Sequence, residues 1–284
     1  MEVENRLITL NSVNGIRRNT TLLSDIYFNF QNILSDDPDI ISSNICIMNA
    51  QIPVSFYIIN STNNSLQVNT LLPSPLTASI LIPPGNYTAN SYISTINTLL
   101  AAAGSPVSVS FSNITGKLTL TSSAGGSILV LYSVPTAIYS GVVFGFGNAT
   151  FQGLSPITMP YPLNLLGVKR LSIKSQLLGV TSFNSGTNQS TILATIPNNN
   201  APYTMINYEN LSNLNKSLVR IRKIDAIDIQ IEDENGLKID FNNTDWSITL
   251  VLENIRRMTI TEVPHFMKIL EQQNEAIPPE VYGD

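Results

Sequence analysis

Residues 217–232, SLVRIRKIDAIDIQIE, carry the clearest strand pattern of the chain. One parity holds the apolar side chains Val219, Ile221, Ile227, Ile229 and Ile231. Such alternation is typical of a strand with one buried face. Around residues 223–226 the apolar positions change face, because Ile224 and Ala226 have the other parity. A register change of this kind indicates a bulge or a bend, so the stretch predicts a long strand that bends between sheets.

The same period-2 pattern runs through most of the remaining chain and predicts an all-β protein. Strands are predicted at 6–11, 20–30, 43–59, 66–70, 78–82, 107–112, 117–122, 127–132, 170–180, 190–196, 203–208 and 246–252. Pro53 interrupts the segment 43–59, so this strand is expected to lie at an edge or to contain a bulge there. Asn235-Gly236 is the strongest hairpin turn of the sequence.

One internal helix is predicted at residues 89–103. Tyr92, Ile96 and Leu100 recur at helical spacing. Thr88 is suited to cap the first turn, and Gly104 is suited to end the last one. Short strands surround this helix, so residues 63–151 are expected to form a small α+β unit.

Charge is scarce and unevenly distributed in this chain. The 15 Lys and Arg and 20 Asp and Glu residues give a net charge of −5, and charged residues make up 12% of the chain, against a typical value of about 25%. Between Asp39 and Lys169 the only charged residue is Lys117. A free monomer usually spreads both signs of charge over its surface. Two interpretations remain open: a surface solvated by Asn, Ser and Thr, or a surface covered by other protein subunits.

The sequence predicts no catalytic, cofactor-binding or metal-binding residue, and the chain is not expected to be an enzyme. The single cysteine, Cys46, excludes an internal disulfide framework and a cysteine-based zinc site. The single histidine, His265, is interpreted as a surface residue without chemistry. The acidic run 36–39 lacks the spacing of a calcium loop and is interpreted as solvated.

Two further groups of residues are interpreted as structural. The carboxylates between residues 225 and 234 are expected to pair with Arg220, Arg222 and Lys223. Gly125-Gly126 and Gly145-Phe146-Gly147 lack the pattern of a phosphate-binding loop and are interpreted as turns.

No targeting or nucleic-acid signal is found. The N-terminal residues are acidic and lack the apolar core of a signal peptide. No apolar run reaches the length of about 18 residues that a transmembrane helix needs. The sequence contains no basic stripe, which argues against direct binding of nucleic acid.

Several segments, taken in order, carry a resemblance to a known group of proteins. They are Arg18-Asn19 with the following strand, AQIPVSFYIIN (50–60), ILIPPGNYTANSYISTINTLL (80–100), IDIQIEDENGLKIDF (227–241) and DWSITLVLE (245–253). In this order they resemble the minor capsid and penton proteins of large eukaryotic double-stranded DNA viruses, virophages and polinton-like elements. The resemblance implies a jelly-roll fold and assembly into an icosahedral shell, and it brings no catalytic residue and no cofactor.

The expected fold is an antiparallel jelly-roll β-sandwich with a small α+β insertion and a short C-terminal helix. Residues 1–62 and 152–262 are expected to form the sandwich and residues 63–151 the insertion domain. Residues 263–284 are expected to form the C-terminal helix and tail. An alternative is two sequential domains divided near residue 155.

The expected function is that of a structural capsid protein, a penton or another minor capsid protein. It is expected to assemble with itself, as a pentamer, and to dock to major and other minor capsid proteins in the virion. Synthesis is expected in the host-cell cytoplasm, without secretion. The alternatives are a viral fibre or receptor-binding knob and a carbohydrate-binding β-sandwich.

A few segments are candidates for contacts between subunits. The stretch up to Arg18 and the tail from Ala276 are expected to act as arms. Phe56 and Tyr57 are either core residues or packing anchors. The apolar segments 139–145 and 159–167 are either core or a contact patch.

Overall fold

The computed structural model of the chain describes residues 2–18, 21–34, 37–71, 75–131, 140–147, 149–178, 191–210, 215–219 and 221–257. In chain order the elements are β1 (Glu2–Asn11), β2 (Ile16–Arg17), β3 (Asp25–Leu34), β4 (Ile40–Pro53), β5 (Ser65–Thr70), β6 (Leu76–Leu81), α1 (Ala89–Ala102), β7 (Val107–Phe111), β8 (Lys117–Ser122), β9 (Ser127–Leu131), α2 (Ser140–Phe144), β10 (Phe151–Leu154), β11 (Ile157–Pro162), β12 (Arg170–Lys174), β13 (Ile192–Pro197), β14 (Met205–Glu209), β15 (Ser217–Val219), β16 (Ile224–Glu232) and β17 (Ser247–Arg256).

Two antiparallel sheets form the larger unit. The first has the order β1-β17-β4-β14, with β15 also paired to β4, and the second has the order β13-β12-β16-β3-β2. The chain therefore crosses between the sheets after β1, β3, β13, β15 and β16, and it leaves the first sheet at the end of β4 to enter the second at β12. This order is that of a jelly roll. The predicted all-β jelly-roll sandwich is confirmed, whereas the predicted C-terminal helix lies outside the described residues.

The predicted bend in 217–232 is confirmed. Val219, at the end of β15, pairs with Ser43 of the first sheet, whereas Ile224, at the start of β16, pairs with Leu34 of the second. Both apolar side chains are buried between the sheets. The chain changes sheet between them, and the buried parity changes from that of Val219 to that of Ile224. A register shift between Ile224 and Ala226 then returns it to the parity of Ile227. The Asn235-Gly236 turn follows, with Gly236 at a φ of 80°.

A continuous apolar core fills the space between the two sheets. Trp246 lies in it, 2% exposed, and its indole Nε1 donates a hydrogen bond of 2.8 Å to the Leu23 carbonyl. Its ring meets Phe28 edge to face at 6.3 Å. The polar atom of this large side chain is therefore satisfied, so the full apolar surface contributes to stability.

The smaller unit has its own sheets and its own apolar cluster. Its sheets have the orders β10-β9-β5-β6 and β11-β8-β7. Helix α1 begins as predicted, because Thr88 and Ser91 form a capping box. Gly104 follows the helix with a φ of 71°, which suits the predicted stop.

The predicted domain division at residues 62 and 152 stays a prediction. In the structure, β10 pairs with β9 and β11 pairs with β8, so residues 151–162 belong to the sheets of the smaller unit. The sequence pattern gave no sign of these strands, because Gly153 and the prolines at 156, 160 and 162 interrupt the apolar alternation.

The prediction of an N-terminal arm is wrong for the described residues 2–18. Strand β1 pairs with β17 along its full length, from Glu2 opposite Arg256 to Asn11 opposite Ser247. Its inward side chains Ile8 and Leu10 are buried. The charges of Glu2, Glu4 and Arg6 interrupt the apolar alternation, so the sequence did not indicate a strand at these residues. An edge strand tolerates such charges, whereas an inner strand does not. The proposed C-terminal arm from Ala276 lies outside the described residues.

Asp228 ties two peripheral segments to the second sheet. Its carboxylate is fully buried and accepts hydrogen bonds of 2.8 Å from the Ser175 hydroxyl and from the Leu177 backbone N–H. The Arg18 guanidinium lies 3.3 Å away. One side chain on β16 therefore holds the segment after β12 and the end of the β2 segment.

We predict that Asp228→Ala lowers the free energy of unfolding by about 2–4 kcal/mol, because it leaves buried donors without an acceptor. The matched control is Asp225→Ala on the same strand. Asp225 pairs with Lys223 at 2.7 Å with both side chains half-exposed, so this change is expected to cost under about 0.5 kcal/mol. Urea unfolding measures both values, and equal losses for the two variants would contradict the assigned role of Asp228.

Candidate interaction surfaces

The carboxylates between residues 225 and 234 form structural contacts. Of the basic residues predicted to pair with them, Lys223 pairs with Asp225, its near neighbour in the sequence rather than a residue on an adjacent strand. Asp228 pairs with Arg18 and Glu232 pairs with Lys174. Those partners are far away in the sequence, so strand spacing did not reveal them. Arg222 is exposed, and Arg220 lies outside the described residues.

The remaining ionisable candidates do not converge on a centre in the part of the chain that the structure describes. Asp37 accepts hydrogen bonds from the Asp39 backbone N–H at 2.9 Å and from the Arg256 guanidinium at 2.7 Å. Asp36 and His265 lie outside the described residues. Among the described residues, no three His, Cys, Asp or Glu side chains come together as a metal site.

Phe56 and Tyr57 lie where the chain passes from the larger to the smaller unit. Phe56 is a core residue, 7% exposed, and its ring meets Phe241 edge to face at 6.2 Å. Tyr57 lines a cavity of about 380 Å³ at the junction of the units. The polar groups around this cavity bind within the protein; Glu234, for example, accepts the Lys169 backbone N–H at 3.2 Å. The cavity therefore offers few free groups to a ligand.

The segments 139–145 and 159–167 contribute to both the core and the surface. Phe144, on α2, is buried in the smaller unit. Val142, Tyr161 and Leu166 instead line an open apolar groove of about 440 Å³, where Tyr161 and Leu166 are 59% and 73% exposed. Apolar surface of this kind is typical of a contact with another molecule.

A second apolar surface lies on the outer face of the first sheet. Leu7, Val251 and Cys46 are directly opposite one another on β1, β17 and β4. Val3 lies opposite Ile255 on the same face. Leu7 is 66% and Val3 is 55% exposed. This surface could not be predicted from the sequence pattern, because residues 2–5 lie before the predicted strand 6–11.

One ion pair lies within this surface. The Lys216 ammonium donates a hydrogen bond to Glu253, and Asn44 Nδ2 donates to the same carboxylate at 3.4 Å. The hydrogen bond from Lys216 holds the pKa of Glu253 below its ordinary value, although partial burial opposes this shift. Beside the pair, burial raises the pKa of the Cys46 thiol, which is 1% exposed. Cys46 is therefore not a reactive surface thiol.

Tyr203 is a further exposed aromatic residue, and it was not among the predicted contact residues. It is 76% exposed and has a φ of 67°, a backbone conformation that costs free energy for a residue with a Cβ. A hydrogen bond of 2.8 Å from its N–H to the Val54 carbonyl holds the turn. The available signal was the run Asn198-Asn199-Asn200 before Ala201-Pro202, which is typical of a turn.

The comparisons with known proteins give a likeness of fold. No protein-family model matches the chain, and no curated protein matches it. Among solved structures, the selenomethionine-labelled mavirus penton protein is similar over 89% of this chain and 100% of its own, with 14% identity and a TM-score of 0.49. The D1-D2-D3 domains of the flagellar cap protein FliD from Escherichia coli match 95% of this chain and 71% of their own, with 12% identity and a TM-score of 0.15. Likenesses at these values assign no function to this chain.

The described helices are too short or too polar to cross a membrane. The longest of them is α1, with 14 residues.

We predict that Glu253→Gln lowers the free energy of unfolding at pH 7 and has little effect at pH 3. The pKa of Glu253 is lower in the folded protein than its ordinary value of 4.5. Its contribution to stability is therefore present above pH 4.5 and is lost as the pH falls through the lower folded pKa. Urea unfolding at both pH values measures the difference, and a loss of stability that is the same at pH 7 and pH 3 would contradict the ion pair.

Proposed function

We propose that this chain is a structural capsid protein, a penton or another minor capsid protein of an icosahedral virion. It assembles with copies of itself and docks to major capsid proteins. The observation that carries the proposal is a jelly-roll sandwich combined with a chain segment, 40–168, in which Lys117 is the only charged residue. The ordered segments that resemble capsid and penton proteins in sequence support the same assignment.

The scarcity of charge supports a buried rather than a free surface. Exposed strands of soluble proteins usually carry charges, which keep them from pairing with other chains. The smaller unit carries only one charged residue in its strands, Lys117, and exposes Leu81, Ile114 and Leu154, which are 65%, 96% and 75% exposed. Neighbouring subunits that cover these residues remove them from water, and this burial is the driving force of the proposed assembly.

The jelly-roll fold also occurs in cupins and lectins. The residue types of this chain distinguish between these two possibilities. A cupin holds its metal with several histidines, whereas this chain has one. A lectin needs exposed aromatic rings, and Tyr161 and Tyr203 are such rings, 59% and 76% exposed. Carbohydrate binding is therefore the second candidate function. We propose no catalytic residue and no direct contact with nucleic acid.

Self-assembly is testable in solution. We predict that native mass spectrometry of the full chain detects a closed oligomer, with a pentamer as the expected form. We also predict that raising the salt concentration from about 0.1 M to 1 M does not dissociate it, since salt screens charged contacts and strengthens apolar ones.

The alternatives give other results in the same measurement. A trimer favours a fibre or another trimeric capsid position. A monomer at every concentration tested, together with binding on a glycan array, favours the carbohydrate-binding sandwich and contradicts the proposed function.

A further inference from the structure

The outer strands of the smaller unit differ in how their free edges are protected. Strand β11 contains Pro160 and Pro162, which remove backbone donors. Strand β7 is covered by α1: Asn97 Nδ2 donates to the Val109 carbonyl at 2.9 Å, and Asn97 Oδ1 accepts the Val109 N–H at 2.7 Å. This side chain replaces a neighbouring strand at that point.

Strands β6 and β10 show no such protection among the residues that the structure describes. They are the outer strands of the sheet β10-β9-β5-β6, and each pairs with one described strand. Neither LTASIL nor FQGL contains a charge or a proline. Natural edge strands carry such features because an open edge otherwise pairs with other chains. We propose that β6 of one copy pairs with β10 of a second copy of this chain.

The backbone groups face the correct way for this pairing. The Ile82 N–H, just after β6, donates to the carbonyl of Asn64, the residue before β5, so alternation turns the N–H groups of Thr77, Ser79 and Leu81 towards the free side. The Ser155 N–H likewise donates to the Gly126 carbonyl next to β9. Alternation then turns the backbone N–H and C=O of Gln152 towards the free side of β10.

The strand directions also fit. Every pair in the order β10-β9-β5-β6 is antiparallel, so β6 and β10 run in opposite directions. A second copy placed beside the first, without rotation within the sheet, therefore continues the antiparallel pattern. The registers Thr77 to Asn69, Asn69 to Leu129 and Leu129 to Gln152 form one row. Thr77 of one copy is then level with Gln152 of the next.

Charge and symmetry identify a second copy as the partner. A charged partner strand would find no opposite charge on β6 or β10, whereas these two neutral edges match each other. The contact joins two different edges, so after one contact the first copy still has a free β10 and the second copy a free β6 for further neighbours. Such head-to-tail contacts build rings.

This inference rests on the proposed function, because the pairing is too small to hold a dimer alone. Strand β10 has four residues, and such a contact buries much less than the roughly 1,000 Å² that a stable interface needs. The pairing therefore forms as part of a larger contact between subunits. It sets which edges meet, while apolar burial elsewhere supplies most of the free energy.

The test combines a charge variant with a cysteine pair in the full chain. Ser79→Lys places a charge on the exposed face of β6 and is expected to raise the dissociation constant of the oligomer at least about tenfold, because lysine blocks edge pairing. Ser108→Lys, on the exposed face of β7 where Asn97 covers the edge, is the matched control and is expected to leave it unchanged. Circular dichroism confirms that both variants fold.

The cysteine pair is Thr77→Cys with Gln152→Cys in one chain. Opposite residues of an antiparallel pair have Cα atoms about 5.5 Å apart, within disulfide range. Mild oxidation is expected to link copies into a ladder of covalent multimers, whereas Ser108→Cys with Gln152→Cys is expected to give none. Cys46, 1% exposed, does not compete.

The outcomes separate this inference from the proposed function. A wild-type chain that is monomeric at all concentrations overturns both. A wild-type oligomer that tolerates Ser79→Lys and gives no covalent ladder overturns the β6–β10 pairing alone. Covalent dimers from Thr77→Cys without Gln152→Cys would show that β6 pairs with β6 of another copy, which also overturns the pairing proposed here.

Discussion

The closure of one sheet by strands from opposite ends of the chain is the constraint on which the fold depends. Strand β1 begins at residue 2 and pairs over ten residues with β17, which in turn pairs with β4. Ile248, Leu250 and Leu252 of β17 are completely buried beneath the second sheet. Neither sheet buries its apolar face without the other. The sandwich is therefore complete only when β17 is in place. The smaller unit is formed by the chain between β4 and β12, and at β12 the chain rejoins the core of the sandwich.

The two units of the chain differ in how they satisfy their polar groups, and this difference accounts for the uneven distribution of charge. The sandwich carries ion pairs, such as Arg18 with the buried Asp228 and Lys216 with Glu253. The smaller unit satisfies its polar groups with uncharged side chains instead, such as Asn97 on β7 and Thr88 at the start of α1. Hydrogen bonding is thus maintained while charge is left out. Removing water from a neutral surface of this kind costs less free energy than removing it from a charged surface, which suits contact between subunits.

Local pattern predicted a large part of this architecture. The parity change around Ile224 identified the crossing between sheets, and helical spacing with Thr88 identified α1 to within one residue at its end. The predicted strand 246–252 corresponds to the first part of β17, where Ile248, Leu250 and Leu252 are buried. Each of these features depends on residues close together in the chain, where side-chain periodicity reports directly on burial.

Features that depend on distant residues could not be predicted in the same way. The pairing of β1 with β17 buries Ile8 and Leu10, but the charges at positions 2, 4 and 6 made the strand resemble a free arm. The partners of Asp228 and Glu232 come from distant parts of the sequence. The exposed apolar surfaces that contain Leu7 and Tyr161 form only when residues from several strands come together. Resemblance in ordered segments supplied the jelly-roll expectation, which the strand order then confirmed.

Amide hydrogen exchange, compared between the assembled oligomer and its dissociated subunits, tests most directly whether copies of the chain cover the neutral surface. The account predicts slower exchange on assembly at Thr77, Ser79 and Gln152, whose N–H groups face away from their own sheet. The Val109 N–H, which already donates a hydrogen bond to Asn97 on the covered edge of β7, should exchange at the same rate in both forms. Identical exchange throughout residues 40–168 in the two forms would contradict the account.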